Sequence, residues 1–389
     1  MASHIDEKEL LERGVVQILP DKASLQKRLA QGKIRLYLGI DPTGAQLHLG
    51  HAVALRKLQQ FALAGHEVIL LIGNGTVKIG DPTGRDSSRP MLTDEEIETN
   101  FVNWQKQASK ILDFSLIKVK KNGDWLDKLA FSDIVKLLAK TTVQQLLERD
   151  IFQERLKKNL PIFGHEIIYP LLQGYDSVAM DVDLEIGGTD QTFNMLMGRN
   201  LQKIYHQKEK WVLTVPLIRG LDGRKMSKSF ANYIALTEEP RQMYALVMSA
   251  SDEVMWEYLE NLTSVSTAEI TQMKKQVSAG ENPKIFKQRL AREIVTWLHS
   301  SKQALAAQEY WQKTVAEKQL PENLPMVVVS DFSLPLFDLA KAACPQESNS
   351  ALRRLIDQGA VELLDNQVLT RSEERRVGKE CRSRWSPYH

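Results

Sequence analysis

Apolar residues in the first part of the chain alternate between two spacings, which predict strands and helices in turn. A β-favouring run at residues 34–40 (IRLYLGI) ends at the turn sequence DPTG and predicts a buried strand. A second run, residues 67–72 (EVILLI), leads into a glycine-rich connection. Between them, apolar residues recur at helical spacing: Leu47, Val53, Leu55, Leu58, Phe61 and Leu63. This order predicts an α/β fold with a doubly wound parallel sheet.

Helical spacing dominates further along the chain. Residues 129–150 carry it in an amphipathic form, and the pattern does not distinguish a core helix from an interface helix. Their apolar positions are Ile134, Leu137, Leu138, Val143, Leu146 and Leu147. Residues 237–301 are again helix-rich, with Met255, Trp256 and Leu262 among the apolar positions. The polar segment 317–325 contains two prolines and predicts a linker.

The last nineteen residues, 371–389, break off this pattern and have no apolar periodicity. They resemble translated vector sequence, and a native basic tail that contacts RNA is the alternative. The tail carries six Lys or Arg and three Asp or Glu, so the formal net charge of +2 becomes −1 without it. Net charge is therefore weak evidence for a nucleic-acid partner.

Composition bounds the class of protein further. The 389 residues suffice for two or three domains, and 43% of them are hydrophobic. No apolar run reaches membrane-spanning length, and the acidic start lacks the features of a signal peptide, so we expect a cytoplasmic protein with no membrane partner. Cys344 and Cys381 are too few for a disulfide framework or a thiolate metal site, and we expect no protein-bound metal.

The segment HLGH at residues 48–51 lies at the predicted start of a helix. Free N–H groups and the helix dipole favour anions there. His48 and His51 share one face, where their imidazoles would donate hydrogen bonds to phosphate oxygens, and Gly50 would leave room for an adenine ring. For an isolated pair of histidines, ordinary surface or core roles are the alternative.

The segment KMSKS at residues 225–229 follows a turn-like approach and predicts a mobile basic loop. Lys225 and Lys228 would hold a triphosphate as it leaves, whereas a solvated loop is the alternative. Attack of a carboxylate on the α-phosphate of ATP builds negative charge on the phosphoryl oxygens, so positioning and positive charge carry the catalysis. The two segments together indicate activation of a carboxylic acid by ATP.

The span from 37 to 229 resembles the bacterial tyrosyl-tRNA synthetases, which belong to the class I aminoacyl-tRNA synthetases. The motifs that carry the resemblance are YLGIDPTG (37–44), HLGH, IGDPTG (79–84), YPLLQGYD (169–176), IGGTDQ (186–191) and KMSKS. The resemblance implies a homodimer. It also implies a Rossmann-type catalytic domain (1–230) with an inserted helical dimerisation segment (about 120–165), a helical anticodon-side domain (231–315) and an α+β RNA-binding module. The sequence itself adds a linker (316–326) and the tail (371–389), and it leaves the module cut short (327–370).

The YPLLQGYD motif suits tyrosine as the substrate. Spacings of four and three residues put Tyr169, Gln173 and Asp176 on one face of a helix. The resemblance assigns Tyr169 and Gln173, with Asp81, to the ammonium group of tyrosine, and Tyr37 with Asp176 to its phenolic hydroxyl. Phenylalanine would leave polar groups buried and unpaired, and it is therefore rejected. A polar patch satisfied within the core is the alternative for this face.

The resemblance implies roles for further residues. Gln191 would lie near the tyrosine carboxylate and Asp190 at the ATP ribose, although a helix N-cap is an alternative or additional role for Asp190. For Asn122, a position near the adenylate is implied, but an Asn-Gly turn is the favoured interpretation. Residues implied beside ATP are Thr43, Thr76, Met226 and Ser227. Residues implied to contact tRNA, with a solvated surface as the alternative, are Arg85, Arg89, Arg353 and Arg354.

The sequence-based hypothesis is a tyrosine–tRNA ligase. It would form tyrosyl-adenylate from tyrosine and ATP, with Mg²⁺ carried by ATP, and pass the tyrosyl group to the 3′ end of tRNA(Tyr). A tryptophanyl-tRNA synthetase or a nucleotidyltransferase is the nearer rival, and Tyr37 with Asp176 argues against both. A non-catalytic RNA-binding or splicing helper is the farther rival, and the intact HLGH and KMSKS signatures argue against it.

Overall fold

The structure is a computed structural model that describes residues 7–44, 46–81, 92–317 and 335–358. The chain divides into two compact units, residues 1–308 and 309–389. The predicted tRNA-contacting residues Arg85 and Arg89, most of the predicted linker, the C-terminal part of the predicted RNA-binding module and the tail lie outside the described residues.

The first unit contains one six-stranded sheet in the order β1-β6-β5-β2-β3-β4. The strands are β1 (Gln17–Leu19), β2 (Arg35–Ile40), β3 (Glu67–Ile72), β4 (Ile117–Lys121), β5 (Leu184–Gly188) and β6 (Trp211–Val215). Strands β2 to β6 pair in parallel, which confirms the predicted doubly wound sheet. The edge strand β1 pairs antiparallel with β6, which the sequence did not predict because three residues give too short a pattern.

The strand order reverses between β2 and β5. From β2 the chain builds outward to β3 and β4, and it then returns to the other side of β2 to form β5 and β6. Ligands of doubly wound sheets bind at the carboxyl ends of the strands on either side of such a reversal. The topology therefore points to the ends of β2 and β5 as the place for a site.

Helices make up most of the remaining regular structure of the described chain. Those that begin before residue 309 are α1 (Glu7–Leu11), α2 (Lys22–Ala30), α3 (Leu49–Leu63), α4 (Asp94–Ala108), α5 (Gly123–Leu126), α6 (Phe131–Leu138), α7 (Val143–Leu147), α8 (Asp150–Lys157), α9 (Gly164–Met180), α10 (Thr192–His206), α11 (Pro240–Ser249), α12 (Asp252–Leu262), α13 (Thr267–Ser278), α14 (Lys284–Leu298) and α15 (Ser301–Trp311). Short 3₁₀ turns lie at Thr76–Lys78, Thr189–Gln191 and Lys228–Phe230, and a π-helical turn lies at Gln312–Ala316.

Helix α3 connects β2 to β3 and buries the predicted apolar face. Its residues Val53, Leu55, Leu58 and Phe61 are all buried. Leu63 is the exception, since it is 40% exposed where the helix ends. This connection fixes the start of α3, and with it the HLGH segment, beside the carboxyl end of β2.

The amphipathic region 129–150 forms two helices, α6 and α7, and not one continuous helix. Thr142 is the N-cap of α7, and its side chain accepts from the Gln145 backbone N–H. The Gln145 side chain accepts in return from the Thr142 backbone N–H. Such a capping box starts a new helix. Of the predicted apolar positions, Leu137 and Leu146 are buried, whereas Leu138 and Val143 are exposed.

The described part of the second unit contains two helices beyond the end of α15, α16 (Leu336–Ala343) and α17 (Asn349–Asp357). They pack through Ala340, Leu352 and Ile356, and Ser348 caps α17 by accepting from the Ala351 backbone N–H.

Candidate active site

A cavity of about 730 Å³ opens at the carboxyl ends of β2, β5 and β6. It lies at the strand-order reversal, where the topology places a ligand site. Sixteen of the residues singled out from the sequence line it: Tyr37, Thr43, His48, Gly50, His51, Thr76, Asp81, Asn122, Tyr169, Gln173, Asp176, Asp190, Gln191, Lys225, Met226 and Ser227. Motifs that lie far apart along the chain therefore meet in one pocket.

The two histidines occupy the start of α3, as predicted. His48 is the N-cap, and its Nδ1 accepts from the Gly50 backbone N–H at 3.2 Å. The Nδ1 of His51 accepts from the His48 backbone N–H at 3.2 Å. Because Nδ1 is an acceptor in both rings, each neutral imidazole carries its proton on Nε2. Both Nε2–H groups are therefore donors suited to an anion such as a phosphate oxygen.

Both imidazoles are held in the neutral form. Burial, aided by the neighbouring His51 and the charges of Lys228 and Lys225, lowers the pKa of His48 to about 2. Burial and the charge of Lys228 also lower the pKa of His51, to about 4. Near neutral pH the histidines donate hydrogen bonds without a charge, and the positive charge of this region comes from the two lysines.

The KMSKS segment lies against the histidine-bearing helix through Met226. This side chain is buried, and its sulfur lies 3.2 Å from the Gly50 backbone nitrogen. A Cβ at Gly50 would lie 2.9 Å from the His48 ring, so the position has no room for a side chain. Gly50 thus allows the close approach of the His48 ring and the KMSKS segment.

The two lysines of KMSKS have different surroundings. Lys225 Nζ lies 2.8 Å from Asp190 Oδ2. Lys228 is not among the residues that line the cavity, but its Nζ lies 5.9 Å from the centre of the Trp104 ring, which does line it. The N-cap alternative for Asp190 is wrong, because Asp190 lies inside the 3₁₀ turn Thr189–Gln191 and Gln191 is the N-cap of α10.

Asn232, which the sequence did not single out, organises the segment around KMSKS. It is buried, its Oδ1 accepts from the Ser227 backbone N–H at 2.8 Å, and its Nδ2 donates to Asp222 Oδ1 at 2.6 Å and to the Lys225 carbonyl at 3.1 Å. Nothing in the residue type distinguishes it from a loop asparagine. Its role becomes visible only when the loop is folded.

One wall of the cavity is organised by Asp41, in the turn that follows β2. Tyr169 Oη donates to Asp41 Oδ2 at 2.8 Å, and Thr76 Oγ1 donates to Asp41 Oδ1 at 2.8 Å. Since the Tyr169 proton points to Asp41, the lone pairs of the Tyr169 hydroxyl are free to accept from a cationic group. Asp41 was missed as a candidate, although its place at the end of a central parallel strand was a usable signal.

Tyr37 and Asp176 line another part of the cavity. The Tyr37 hydroxyl lies 3.0 Å from Ser177 Oγ. The Asp176 carboxylate accepts from Trp125 Nε1 at 2.8 Å and from Asn122 Nδ2 at 3.1 Å. Burial raises the pKa of Asp176 and of Tyr37 well above their usual ranges.

Asn122 does more than make a turn. It is the N-cap of helix α5 and is almost fully buried. Its Oδ1 accepts from the Gly75 backbone N–H at 2.8 Å, and its Nδ2 also donates to Thr76 Oγ1 at 2.9 Å. The favoured interpretation as an Asn-Gly turn is therefore incomplete. Asn122 lines the cavity, and its implied position near the adenylate stays a prediction.

A chain of side-chain hydrogen bonds links the predicted residues Gln173, Gln191 and Asp81. Asn194 Nδ2 donates to Gln173 Oε1 at 2.9 Å and to Gln191 Oε1 at 2.8 Å. Gln191 Nε2 donates in turn to Asp81 Oδ2 at 2.7 Å, and Arg149 Nη2 lies 3.3 Å from Asp81 Oδ1. Asn194 and Arg149 were not predicted, because Asn194 lies in α10 and Arg149 lies just before α8, and neither belongs to a site motif.

Comparison with known proteins agrees with this geometry. Residues 29–316 match the family described as tRNA synthetases class I (W and Y). The chain belongs to this family.

Curated relatives of this class I synthetase include tyrosine–tRNA ligases from three bacteria. That of Moorella thermoacetica is 44% identical over 360 residues, covering 91% of this chain and 87% of the relative. That of Thermotoga maritima is 42% identical over 355 residues, covering 91% and 88%. That of Francisella tularensis is 42% identical over 364 residues, covering 93% and 92%.

Solved structures support the fold of this synthetase. A tyrosyl-tRNA synthetase from Archaeoglobus fulgidus, complexed with L-tyrosine, aligns with a TM-score of 0.61 at 22% identity, covering 76% of this chain and 98% of that one. A C-terminally truncated mitochondrial tyrosyl-tRNA synthetase from Aspergillus nidulans aligns with a TM-score of 0.65 at 21% identity, covering 77% and 91%. At these identities the likeness establishes the fold and not the substrate.

Two further observations concern the described part of the synthetase only. No group of three or more His, Cys, Asp or Glu side chains is arranged there to hold a metal ion. None of its helices is both long and apolar enough to cross a membrane.

Proposed function

We propose that this class I synthetase is a tyrosine–tRNA ligase. It joins L-tyrosine to ATP, forming tyrosyl-adenylate and pyrophosphate, and then transfers the tyrosyl group to the terminal ribose hydroxyl of tRNA(Tyr). The observation that carries the substrate assignment is the buried Asp176. With Tyr37 it lines the same cavity as the HLGH and KMSKS residues. The tyrosine–tRNA ligases among its relatives support the same assignment.

The pocket suits a phenol better than a benzene ring. A phenolic hydroxyl both donates and accepts, and Asp176 and Tyr37 together offer an acceptor and a donor. Asn122 and Trp125 direct N–H groups at the Asp176 carboxylate and hold it in place. Phenylalanine would fill the same space but offer no hydroxyl to Asp176 and Tyr37, which discriminates strongly against it.

The amino group of tyrosine would lie at the opposite end of the substrate. Asp81, the Tyr169 hydroxyl and the Gln173 carbonyl offer oxygen acceptors there, and all three residues line the cavity. The Tyr169 proton is directed to Asp41, so its oxygen is left to accept. In this orientation the tyrosine carboxylate points towards Gln191 and the ATP-binding residues.

The activation step needs no covalent nucleophile from the protein. A carboxylate oxygen of tyrosine forms a bond to the α-phosphorus of ATP while the bond from that phosphorus to the bridging oxygen breaks, and pyrophosphate leaves. His48 and His51 donate their Nε2–H groups to phosphoryl oxygens, and Lys225 and Lys228 neutralise the growing charge. Mg²⁺ enters bound to the phosphates of ATP, which is its usual form in such reactions.

The remaining ATP contacts and partners follow the family resemblance. Asp190 binds the ribose, Thr43 and Thr76 lie near the phosphates, and Met226 and Ser227 belong to the ATP-binding wall. The acceptor end of tRNA meets Arg85 and Arg89, and its more distant parts meet Arg353 and Arg354. The protein works as a homodimer in the cytoplasm.

Tyrosine-dependent exchange of pyrophosphate into ATP tests the proposal without tRNA. We expect exchange with tyrosine, and none above background with phenylalanine or tryptophan at the same concentration. Exchange driven by tryptophan would reassign the substrate within the family. A folded sample that exchanges with none of the three would contradict the proposed activity and favour a non-catalytic RNA-binding role.

A further inference from the structure

A buried ion pair contacts Gln173, one of the residues that would bind the amino group of tyrosine. Lys210 and Glu185 are 0% and 2% exposed, and Lys210 Nζ contacts Glu185 Oε2. Lys210 Nζ also donates to the Met195 carbonyl at 3.1 Å. Removing two such groups from water is costly, so a pair in this position calls for a reason beyond stability.

The fold makes room for this pair. Glu185 is in register with Tyr37 on the neighbouring parallel strand, so both side chains point to the same face of the sheet. On the covering helix, a Cβ at Gly198 would lie 2.5 Å from Lys210 Nζ and 2.7 Å from Ser177 Oγ. A larger residue at position 198 would therefore displace both the ion pair and the hydroxyl that contacts Tyr37.

Glu185 starts the chain of side-chain hydrogen bonds described above. Its Oε1 accepts from Gln173 Nε2 at 3.1 Å, and Gln173 Oε1 then accepts from Asn194 Nδ2. With Oε2 taken by Lys210, Oε1 can only accept, so the NH₂ group of Gln173 must face Glu185. The carbonyl oxygen of Gln173 must then face the other way.

We propose that the Lys210–Glu185 pair positions the tyrosine-binding residue Gln173 by fixing which end of its amide faces the amino group of tyrosine. An amide has a donor end and an acceptor end of nearly the same size, and only the acceptor end attracts an ammonium group. The pair acts through Gln173 and does not touch the substrate amine. This inference rests on the proposed function, because it assumes that tyrosine binds in the cavity.

Glu185→Gln is the sharpest test, because it reverses the direction of the chain without changing its size. Lys210 still requires an acceptor, so the new carbonyl oxygen turns to Lys210 and the new NH₂ group turns to Gln173. Gln173 must then present its oxygen to position 185 and its NH₂ group to the ammonium of tyrosine. We expect tyrosine to bind roughly 10- to 100-fold more weakly, the range for loss of a hydrogen bond to a charged group.

A substrate analogue separates positioning from general damage. The compound 3-(4-hydroxyphenyl)propionate keeps the phenol and the carboxylate but lacks the amino group, so the direction of the Gln173 amide should not affect it. Dissociation constants of both compounds are measured by calorimetry for the unaltered protein and for Glu185→Gln. Selective weakening of tyrosine supports the inference. Equal weakening of both compounds, or unchanged binding of tyrosine, would overturn it.

Two further variants keep the test decisive. In Glu185→Gln with Lys210→Met no buried charge is left unpaired, which folded proteins tolerate well. The new amide is then free to turn its oxygen to Gln173, and tyrosine binding should recover. If Glu185→Gln does not fold, Asn194→Leu removes the donor to the Gln173 oxygen but leaves the ion pair in place, so the Gln173 amide should keep its direction and tyrosine should not be weakened selectively. Selective loss of tyrosine in Asn194→Leu would show that Asn194, and not the ion pair, sets the direction of the amide. Failure of the unaltered protein to bind tyrosine would instead contradict the proposed function itself.

Discussion

His48 and His51 show how one arrangement of residues serves both structure and chemistry. Each Nδ1 accepts a backbone N–H at the start of α3, which satisfies groups that a helix leaves without partners. The same bonds leave the Nε2–H group of each ring as a donor, and both histidines line the cavity. The cost is that two imidazoles must stay neutral in the folded protein, and this gives a measurable dependence of stability on pH.

The pKa values of the two histidines predict a loss of stability in mild acid. In the unfolded chain histidine titrates near 6.5, whereas burial lowers the pKa of His48 to about 2 and of His51 to about 4 in the folded protein. Between these values the unfolded chain binds more protons, so stability falls as pH falls below about 6.5. Each group contributes up to about 1.4 kcal/mol per pH unit.

His48→Asn checks this dependence on pH. Asparagine is a good N-cap residue and does not titrate, so α3 should still form. The free energy of unfolding is measured by urea denaturation at pH 7, 6 and 5 for both proteins. We expect a shallower fall in the variant than in the unaltered protein, and identical slopes would show that His48 does not stay neutral on folding.

Lys228 is expected to act on the transition state more than on substrate binding. Its proposed role is to neutralise the negative charge that develops on the departing pyrophosphate as the phosphoryl group is transferred, a charge that bound tyrosine does not carry. Lys228→Ala should slow pyrophosphate exchange by about 10²- to 10³-fold, the range for loss of one such electrostatic contact, while the dissociation constant of tyrosine changes little. Lys302→Ala removes an exposed lysine on α15 and is the matched control. An unchanged exchange rate in Lys228→Ala would refute this role.

At the scale of elements, helices α6 and α7 expose several large apolar side chains. Phe131 is 84% exposed and Val143 is 61% exposed, and Val135 and Leu138 add to the same region. Contiguous exposed apolar surface marks contact sites, and this is the segment where the family resemblance places the dimer contact. The proposed homodimer predicts that charged residues here separate the subunits.

Phe131→Glu with Val143→Glu tests the dimer contact. Because both side chains are exposed, their replacement should leave the folded subunit intact and shift sedimentation from dimer to monomer. Ile285→Glu, on the exposed face of α14, is the matched control and should leave the dimer unchanged. A dimer that persists in the double variant would place the contact elsewhere, and an unaltered protein that sediments as a monomer would contradict the homodimer.

The elements that the sequence predicted correctly are those with a local pattern. Strands β2 and β3 are continuous apolar runs, and α3 has a helical face with a polar start, so hydrophobic periodicity is enough to find them. The division between α6 and α7 depends on the capping box at Thr142, and the edge strand β1 is too short to show a period. Local chemistry of a few residues decides such features.

The site divides in the same way between predicted and missed residues. Tyr37, His48 and Asp176 lie in motifs whose residue types suit ATP or tyrosine. Glu185 and Lys210 look like ordinary charged positions in the sequence, and their role depends on strands β5 and β6 meeting beneath α10. Hydrogen bonds between residues far apart along the chain are a property of packing, so periodicity and motifs do not reveal them.

At the scale of the whole molecule, the two units are expected to divide the reaction. All the residues proposed for tyrosine and ATP belong to the first unit, residues 1–308, and the exposed Arg353 and Arg354 belong to the second. Activation of tyrosine needs no RNA, whereas transfer requires tRNA to be held. Changes in the second unit should therefore affect transfer and leave activation intact.

Arg353→Ala with Arg354→Ala tests this division. Loss of two phosphate contacts should raise the tRNA concentration needed for half-maximal charging, on the order of 10-fold, and should make charging less sensitive to salt. Tyrosine-dependent pyrophosphate exchange should be unchanged. Arg353→Lys with Arg354→Lys keeps both charges and is the matched control. Because Arg353 packs against the Phe337 ring, a loss of charging in this control would show that this packing matters as well as the charge. Equal loss of exchange and charging in the alanine variant would show that the two units do not divide the reaction.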